Sequence, residues 1–262
     1  MKLSIIGCGA MGGAMAVAFS KCKDITPTSI YLSAAHESSL SKFKEMGMNC
    51  SCNNRDIAAN GDIVILAVKP YLVKEIIDEI KESLDYRRQI IISVAAGVSG
   101  ESLLNWLDKG DGVAPKLLVA IPNTAIEIMQ SMTFLSPISL LDDEIKVVEQ
   151  LFAKCGSTKI IAEQLLPAAI TLASCGIAYA MRYIRASMEG GVELGIKAKD
   201  AQLIVAQTVK GAAELLMDES RHPEAEIDKV TTPGGLTIRG LNAMEKGGFT
   251  TAVINGLKAG VK

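Results

Sequence analysis

"MKLSIIGCGAMGG", residues 1–13, decides how the fold is read. Leu3 to Ile6 is a short apolar run of strand character. Gly7, Gly9 and Gly12 follow in the pattern GxGxxG, and Met11, Met15, Ala18 and Phe19 then recur at helical spacing. A strand, a glycine turn and a helix in that order open a dinucleotide-binding sheet. Gly7 is expected to make the tight turn, Gly9 to let backbone approach a pyrophosphate, and Gly12 to let the helix pack close. Cys8, Ala10 and Met11 complete a loop that faces phosphate at the helix N-terminus. A glycine-rich turn with no ligand would show the same three glycines. The strand before them and the helix after them favour the binding loop.

Outward from this stretch the chain alternates. Strand-like runs recur at Ser29–Leu32, Ile63–Ala67, Gln89–Ser93, Leu117–Ile121 and Met132–Ser136. Helical patterns lie between several of them, at Leu72 to Leu84 and Ser99 to Leu107. This βαβ rhythm predicts an α/β domain of the Rossmann type, with a parallel, doubly wound sheet. A helix over Asp142 to Lys154 and a short strand near Lys159–Ile161 are expected to close it. After Glu163 no strand signal follows. Gln164 to Leu194 reads as one long helix that tolerates Pro167 in its first turn. Gly176, Gly190 and Gly191 suggest close packing or a break in it. A second helix runs from about Asp200, its expected N-cap, to Asp218. Pro233-Gly234-Gly235 opens a third, which ends near Gly247-Gly248, and Thr250 to Lys258 forms a fourth. The expected domains are therefore residues 1–162 and an all-helical part, residues 163–262.

Composition narrows the partners. With 262 residues, 49% of them hydrophobic, the chain can bury a sizeable core. A net charge of −2 gives no footprint for nucleic acid. The N-terminus lacks a cleavable signal pattern. The longest uncharged run, Leu165 to Met181, is short for a membrane span and contains Pro167, Thr171, Ser174 and Tyr179. It reads as a helix buried in a core or a subunit interface, which makes a homodimer, or a higher assembly of dimers, the expected state. Six scattered cysteines fit reduced thiols in the cytoplasm, and no metal site is expected.

The cofactor's identity turns on the end of the second strand, "IYLSAAHESS". A carboxylate roughly 20 residues past the glycines usually binds the ribose hydroxyls of NAD. Ser33 stands there instead, so nothing repels a 2′-phosphate, and Ser33 with His36 offers donors to one. NADP is the expected cofactor and NAD the alternative. No arginine stands nearby, Glu37 is close enough to swing in, and His36 reads equally as a solvated loop residue.

Further segments fall in order along the chain: "LAVKP" ending at Lys69-Pro70, "SVAAGV" over Ser93–Val98, "IPNTA" over Ile121–Ala125 and "TTPGGLT" over Thr231–Thr237. With the glycine pattern, they resemble the pyrroline-5-carboxylate reductase family over essentially the whole chain. The resemblance implies a Rossmann domain followed by a helical domain that intertwines with a second subunit's. It implies that Gly7, Gly9, Met11 and Gly12 line the pyrophosphate. Asn54 would contact the adenosine ribose. Ala67, Val68 and Lys69-Pro70 would pass beside the cofactor, with Asn123 and Thr124 near the nicotinamide. Thr232, Gly234, Gly235 and Thr237 would form the substrate-binding turn.

Some positions depart from the family pattern. Where the long helix usually reads Ser-Gly-Ser-Gly-Pro-Ala-Tyr, this chain has Ala173-Ser174-Cys175-Gly176-Ile177-Ala178-Tyr179. Ala125 ends a pattern that is usually Pro-Asn-Thr-Pro, Leu236 replaces a small residue or Thr, and Arg221 replaces a carboxyl group before His222-Pro223.

The reaction the resemblance implies is reduction of a cyclic imine to L-proline. A protonated imine is already electrophilic, and the sequence offers no catalytic His–Asp pair. Catalysis is then expected to be placement, with the reacting carbons about 3–3.5 Å apart. The N–H groups freed by Gly234 and Gly235 suit the substrate carboxylate. Thr232 adds a donor or merely caps a helix. Thr237 is the candidate partner of the ring nitrogen. Cys175 is either a weak donor in the place of a pocket serine or a small core filler. Two other readings stand beside this one. The first is a related NADP-dependent imine or β-hydroxyacid reductase; no lysine occurs from Gln164 to Ser187 to serve β-hydroxyacid chemistry. The second is a dinucleotide-sensing dimer without turnover.

Overall fold

The computed structural model describes residues 1–261 and divides into two compact units, Met1–Ser174 and Cys175–Lys262. In the first unit β1 (Leu3–Ile6), α1 (Ala10–Ser20), β2 (Ile30–Ser33), α2 (Ser41–Glu45), β3 (Asn49–Ser51), α3 (Asn54–Asn60) and β4 (Ile63–Leu66) succeed one another. Then come α4 (Val73–Ile80), β5 (Ile90–Ser93), α5 (Gly100–Leu107), β6 (Lys116–Ile121), β7 (Ser131–Pro137), α6 (Asp142–Ala153) and β8 (Gly156–Ile160). The sheet order is β3-β2-β1-β4-β5-β6-β7-β8. Its first six strands follow the order expected of a doubly wound nucleotide-binding sheet.

All neighbouring pairs are parallel except β6 with β7. The link from Pro122 to Gln130 is too short for a crossover, which takes a dozen or more residues. It holds only a 3₁₀ turn, Thr124–Ile128, and Met129 with φ 62°. β7 must therefore turn back along β6. The expectation of a parallel sheet holds up to β6 and is corrected beyond it.

Strand alternation divides the core. Leu3, Ile5, Ile30 and Leu32 point to the face covered by Met15, Phe19, Val148 and Phe152 of α1 and α6. Ile6, Val64 and Leu66 point to the other, covered by Ile57, Val73, Ile77, Leu103 and Leu107 of α3, α4 and α5. Phe19 and Phe152 meet edge to face at 5.7 Å, an arrangement worth about 1 kcal/mol beyond area burial.

The first unit ends later than the pattern change at 162/163. α7 (Leu166–Ile170) packs Leu166 and Ala169 into the second core cluster, and Thr171 is buried. The long helix expected over Gln164–Leu194 is not uniform. A 3₁₀ turn (Glu163–Leu165), α7 and a π-helical turn (Thr171–Cys175) precede α8 (Gly176–Glu193). The run Glu163–Glu193 is long and apolar enough, by length and composition, to cross a membrane, and 17% of its most apolar stretch is buried.

The second unit continues with α9 (Ala198–Leu216), α10 (Pro223–Lys229), α11 (Leu236–Lys246) and α12 (Phe249–Ala259). Lys197 takes the N-cap of α9, and Asp200 sits in the first turn instead, where its charge complements the helix dipole. α10 is a further helix that periodicity misses because it spans only two turns. His222 Nδ1 caps it by accepting from Glu224 N–H at 3.3 Å. Tyr179 donates its hydroxyl to Gly256 O within this same unit.

One buried amide joins α3 to β5. Gln89 Nε2 donates to Ala58 O (2.8 Å) and Gly61 O (2.7 Å), and its Oε1 accepts from Asp85 N–H (2.7 Å). Gln89→Leu leaves Asp85 N–H and Ala58 O unpaired, at about 1–3 kcal/mol each where no water replaces the bond, while Gly61 O keeps its bond from Arg88 Nη1 at 3.1 Å. The expected result is a clearly lowered urea midpoint for the first unit.

Candidate active site

A cleft of about 490 Å³ opens at the C-terminal ends of the strands. Gly7, Cys8, Gly9, Ala10 and Met11 form one wall, and Ala67, Val68, Lys69 and Pro70 follow β4 along another. Thr124 reaches it from the 3₁₀ turn after β6.

Backbone geometry explains the glycines. Gly7 lies at φ 104°, and a Cβ there would meet Ala67 O at 2.8 Å. A Cβ at Gly12 would collide with Gly7 O, so only glycine lets α1 approach the turn. A Cβ at Gly9 would meet nothing within 4 Å. Gly9 faces the open cleft and is the N-cap of α1, with no side-chain cap bond. The first N–H groups of α1 are thus left for a ligand. This bare, uncapped helix start fits a pyrophosphate.

Four expected cofactor residues lie off the cleft wall. Gly12 is buried behind the turn and acts through packing. Ser33 is fully buried, because strand alternation turns it away from the α1 face, and its hydroxyl has no partner. Ala34, Ala35, His36 and Ser39 line the cleft in its place. Asn54 begins α3 and donates its amide to Glu79 Oε2 at 2.8 Å. Its neighbour Asn53 caps that helix, accepting from Arg55 N–H at 3.0 Å. Asn123 is buried and works inward, accepting from Ala125 N–H (3.1 Å) and donating backbone N–H to Ser131 Oγ (3.1 Å). It shapes the loop that presents Thr124.

Val94, Ala95 and Ala96 also line the cleft. Their sequence signal was their place just past β5, since ligands sit beyond the carboxyl ends of such strands. Burial pushes the Cys8 thiol up to about 11, with Cys50 adding to the shift. Cys8 stays neutral and donates to Ser39 O at 3.5 Å, so it brings no negative charge against a phosphate. Glu37 is held below the usual carboxylate range, first by Lys44, with which it is paired. Among the described residues no group of three or more His, Cys, Asp or Glu is assembled for a metal.

In the second unit the Thr-Pro-Gly-Gly segment forms a tight turn. Gly234 has φ 66°, and Gly235 N–H donates to Thr232 O at 2.9 Å. Gly235 is the N-cap of α11 and no side chain caps that helix. Thr232 therefore is not the cap, and the first N–H groups of α11 are open. A Cβ at Gly235 would run into Thr232 Oγ1. Thr232 and Thr237 are exposed, and Cys175 is half-buried at the end of the π-helical turn.

With this geometry in place, known proteins can be set beside the chain. The family model described as pyrroline-5-carboxylate reductase dimerisation matches residues 163–262. A model described as NADP oxidoreductase, coenzyme F420-dependent, matches residues 2–97. Pyrroline-5-carboxylate reductase 1 of Dictyostelium discoideum is 38% identical over 97% of this chain, which spans 48% of that longer relative. Pyrroline-5-carboxylate reductase 2 of the same organism is 35% identical, over 98% of this chain and 89% of its own length. Among solved structures, a pyrroline-5-carboxylate reductase from Coxiella burnetii aligns with a TM-score of 0.89 at 27% identity, covering 99% of this chain and 96% of that one. The 1-pyrroline-5-carboxylate reductase of Streptococcus pyogenes aligns at 0.86 and 30%, covering 100% and 96%. With near full-length correspondence to such relatives, a glycine-loop cleft and an uncapped Thr-Pro-Gly-Gly turn, the chain belongs to the pyrroline-5-carboxylate reductase family.

Proposed function

We propose that this protein reduces 1-pyrroline-5-carboxylate to L-proline with NADPH as the hydride donor. The observation that carries the reading is the glycine-loop cleft, present in a chain aligned almost end to end with reductases of that name. A structural relative from Plasmodium falciparum, described with NADP bound, shares the fold at a TM-score of 0.88 and 24% identity. Residues 1–162 hold the cofactor, and residues 163–262 bind substrate and join subunits.

Each residue has a placing role. The open N–H groups at the start of α1 hold the pyrophosphate, with Gly9 leaving room for it and Gly7 and Gly12 fixing the turn. Ala67, Val68, Lys69 and Pro70 flank the dinucleotide, and Asn123 sets the loop through which Thr124 approaches it. When bound, the dihydronicotinamide supplies hydride to the imine carbon. Gly234, Gly235 and Thr232 hold the substrate carboxylate at an uncapped helix start. Thr237 hydrogen-bonds the ring nitrogen and fixes the face presented. Cys175 stands where the family usually has a serine and acts as a weak donor in the substrate pocket. No strong side-chain acid is required, because the protonated imine is itself the electrophile.

The helical domain supports an oligomer. It exposes Met181, Leu203, Ile204 and Val253, and the dimerisation model covers it. A second copy buries this apolar surface, which about 100 residues of helix cannot cover alone. The unpaired cysteines, all six of them, support a reducing compartment, and we place the enzyme in the cytoplasm.

Four experiments test the reading. Purified protein should oxidise NADPH when given pyrroline-5-carboxylate, with a higher kcat/KM than for NADH; no turnover with either cofactor refutes it. Light scattering should show at least a dimer, and a stable, active monomer contradicts the assigned helical interface. Finally, 1-pyrroline lacks the carboxylate, and losing about two charge-assisted bonds should lower kcat/KM by on the order of a hundredfold to ten-thousandfold. kcat should fall too, because binding of that group orients the reacting carbon. Gly235→Val should reproduce the loss and leave cofactor affinity intact. Equal rates for the two imines would remove the turn from the site.

A further inference from the structure

The helices α1 and α6 end in the same four-residue pattern, Phe-x-Lys-Cys: Phe19-Ser20-Lys21-Cys22 and Phe152-Ala153-Lys154-Cys155. Each lysine is the C-cap of its helix. Each cysteine N–H donates back to the phenylalanine carbonyl, Cys22 to Phe19 O at 3.0 Å and Cys155 to Phe152 O at 2.8 Å. The two helix ends share this local geometry, and they meet at matching positions. The phenylalanine rings pack edge to face. Lys154 is paired with Asp24, just past Cys22.

The thiols lie between these two contacts. Cys155 donates its thiol to the Cys22 sulfur, and Cys22 donates in turn to Ala18 O at 3.6 Å. Both belong to the core cluster on this face of the sheet, Cys155 at 0% exposure and Cys22 at 8%. Cys8 and Cys52 turn their thiols to oxygen instead, to Ser39 O and Glu37 Oε1, both at 3.5 Å.

We propose that Cys22 and Cys155 are a redox site, a buried dithiol that closes to a disulfide on exchange with a small-molecule disulfide and staples α1 to α6. Neither cysteine lines the cofactor cleft, and the inference does not rest on the function assigned above.

Both thiols are neutral at rest. Burial pushes them up, Cys155 to about 12, and the Lys154 ammonium opposes that rise on each. Thiolate is the attacking form, and Cys22, the less enclosed of the two, starts the exchange. It gives up its proton and attacks one sulfur of the external disulfide. That S–S bond breaks, and one external thiolate leaves and takes up a proton. Cys155 then gives up its proton and attacks the Cys22 sulfur of the mixed disulfide. The bond between the two cysteines forms, and the other external thiolate leaves and is protonated. The pair has lost two electrons and two protons, and the external disulfide has become two thiols. Because the two sulfurs are already in contact, closure needs no large backbone displacement. The cross-link spans everything from β2 to β7, so it constrains the unfolded chain over a long loop.

Folded protein is incubated with hydroxyethyl disulfide, free thiols are alkylated in denaturant, and peptides are mapped by mass spectrometry without reduction. The expected product joins the peptides of Cys22 and Cys155, and dithiothreitol reverses it. The linked protein should show a higher urea midpoint for the first unit, with an unfolding constant lowered by on the order of a hundredfold. Cys52→Ser, at an exposed position, should keep both results, and Cys22→Ala should lose both. Recovery of Cys155 as an alkylated thiol, a linkage of either residue to another cysteine, or a linked protein with an unchanged midpoint overturns the proposal. The wild-type map decides the pairing whether or not a variant folds, and no readout requires turnover.

Discussion

The close approach of α1 to the ends of β1 and β4 is the constraint on which the rest of the molecule depends. Gly7 N–H donates to Ser33 O at 3.2 Å, and Ala67 N–H donates to Ile6 O at 2.8 Å. The turn is thereby tied to β2 and β4 at once. Gly12 then lets the helix settle against Gly7 O with no side chain between them. That contact aims the uncapped start of α1 at the cleft and brings Met15 and Phe19 onto the sheet. The same glycine that permits packing therefore leaves the uncapped start of α1 facing the cleft. A side chain at Gly9 would face open space, with nothing within 4 Å of its Cβ.

The two units solve different physical problems. The first buries both faces of its sheet under helices and needs no other partner for its core. The second leaves a run of large apolar side chains in the open, which matches a family model named for dimerisation. The model named for dimerisation thus falls on the part of the chain whose apolar side chains are left uncovered. The uncapped turn at Gly235 repeats the device at Gly9: a helix start left without a side-chain cap.

Legibility followed the strength of each local signal. The glycine loop, the apolar strands β1, β4 and β5 and the amphipathic α6 could be read because spacing and burial coincide there. β3 was invisible, being three residues long, polar and only partly buried. The reversal at β7 is encoded in a loop length rather than in any residue pattern. Ser33 lies off the cleft wall because counting residues from the glycines locates a strand end to within a position, while alternation decides which neighbour faces the cleft. Ala34 and Ala35 carry no chemistry in their side chains and gave no signal at all. The Thr-Pro-Gly-Gly turn was legible as an open helix start, since Gly234 needs the left-handed backbone that only glycine adopts freely.

The central claim is that placement alone delivers hydride from the cofactor to the imine carbon, and isotope transfer tests it most directly. NADPH carrying two deuterons at nicotinamide C4 is incubated with enzyme and pyrroline-5-carboxylate in ordinary water, and the proline is read by NMR. The account predicts one deuteron per proline, at ring carbon 5, on a single face. Proline free of deuterium, or label spread over both faces, would contradict it.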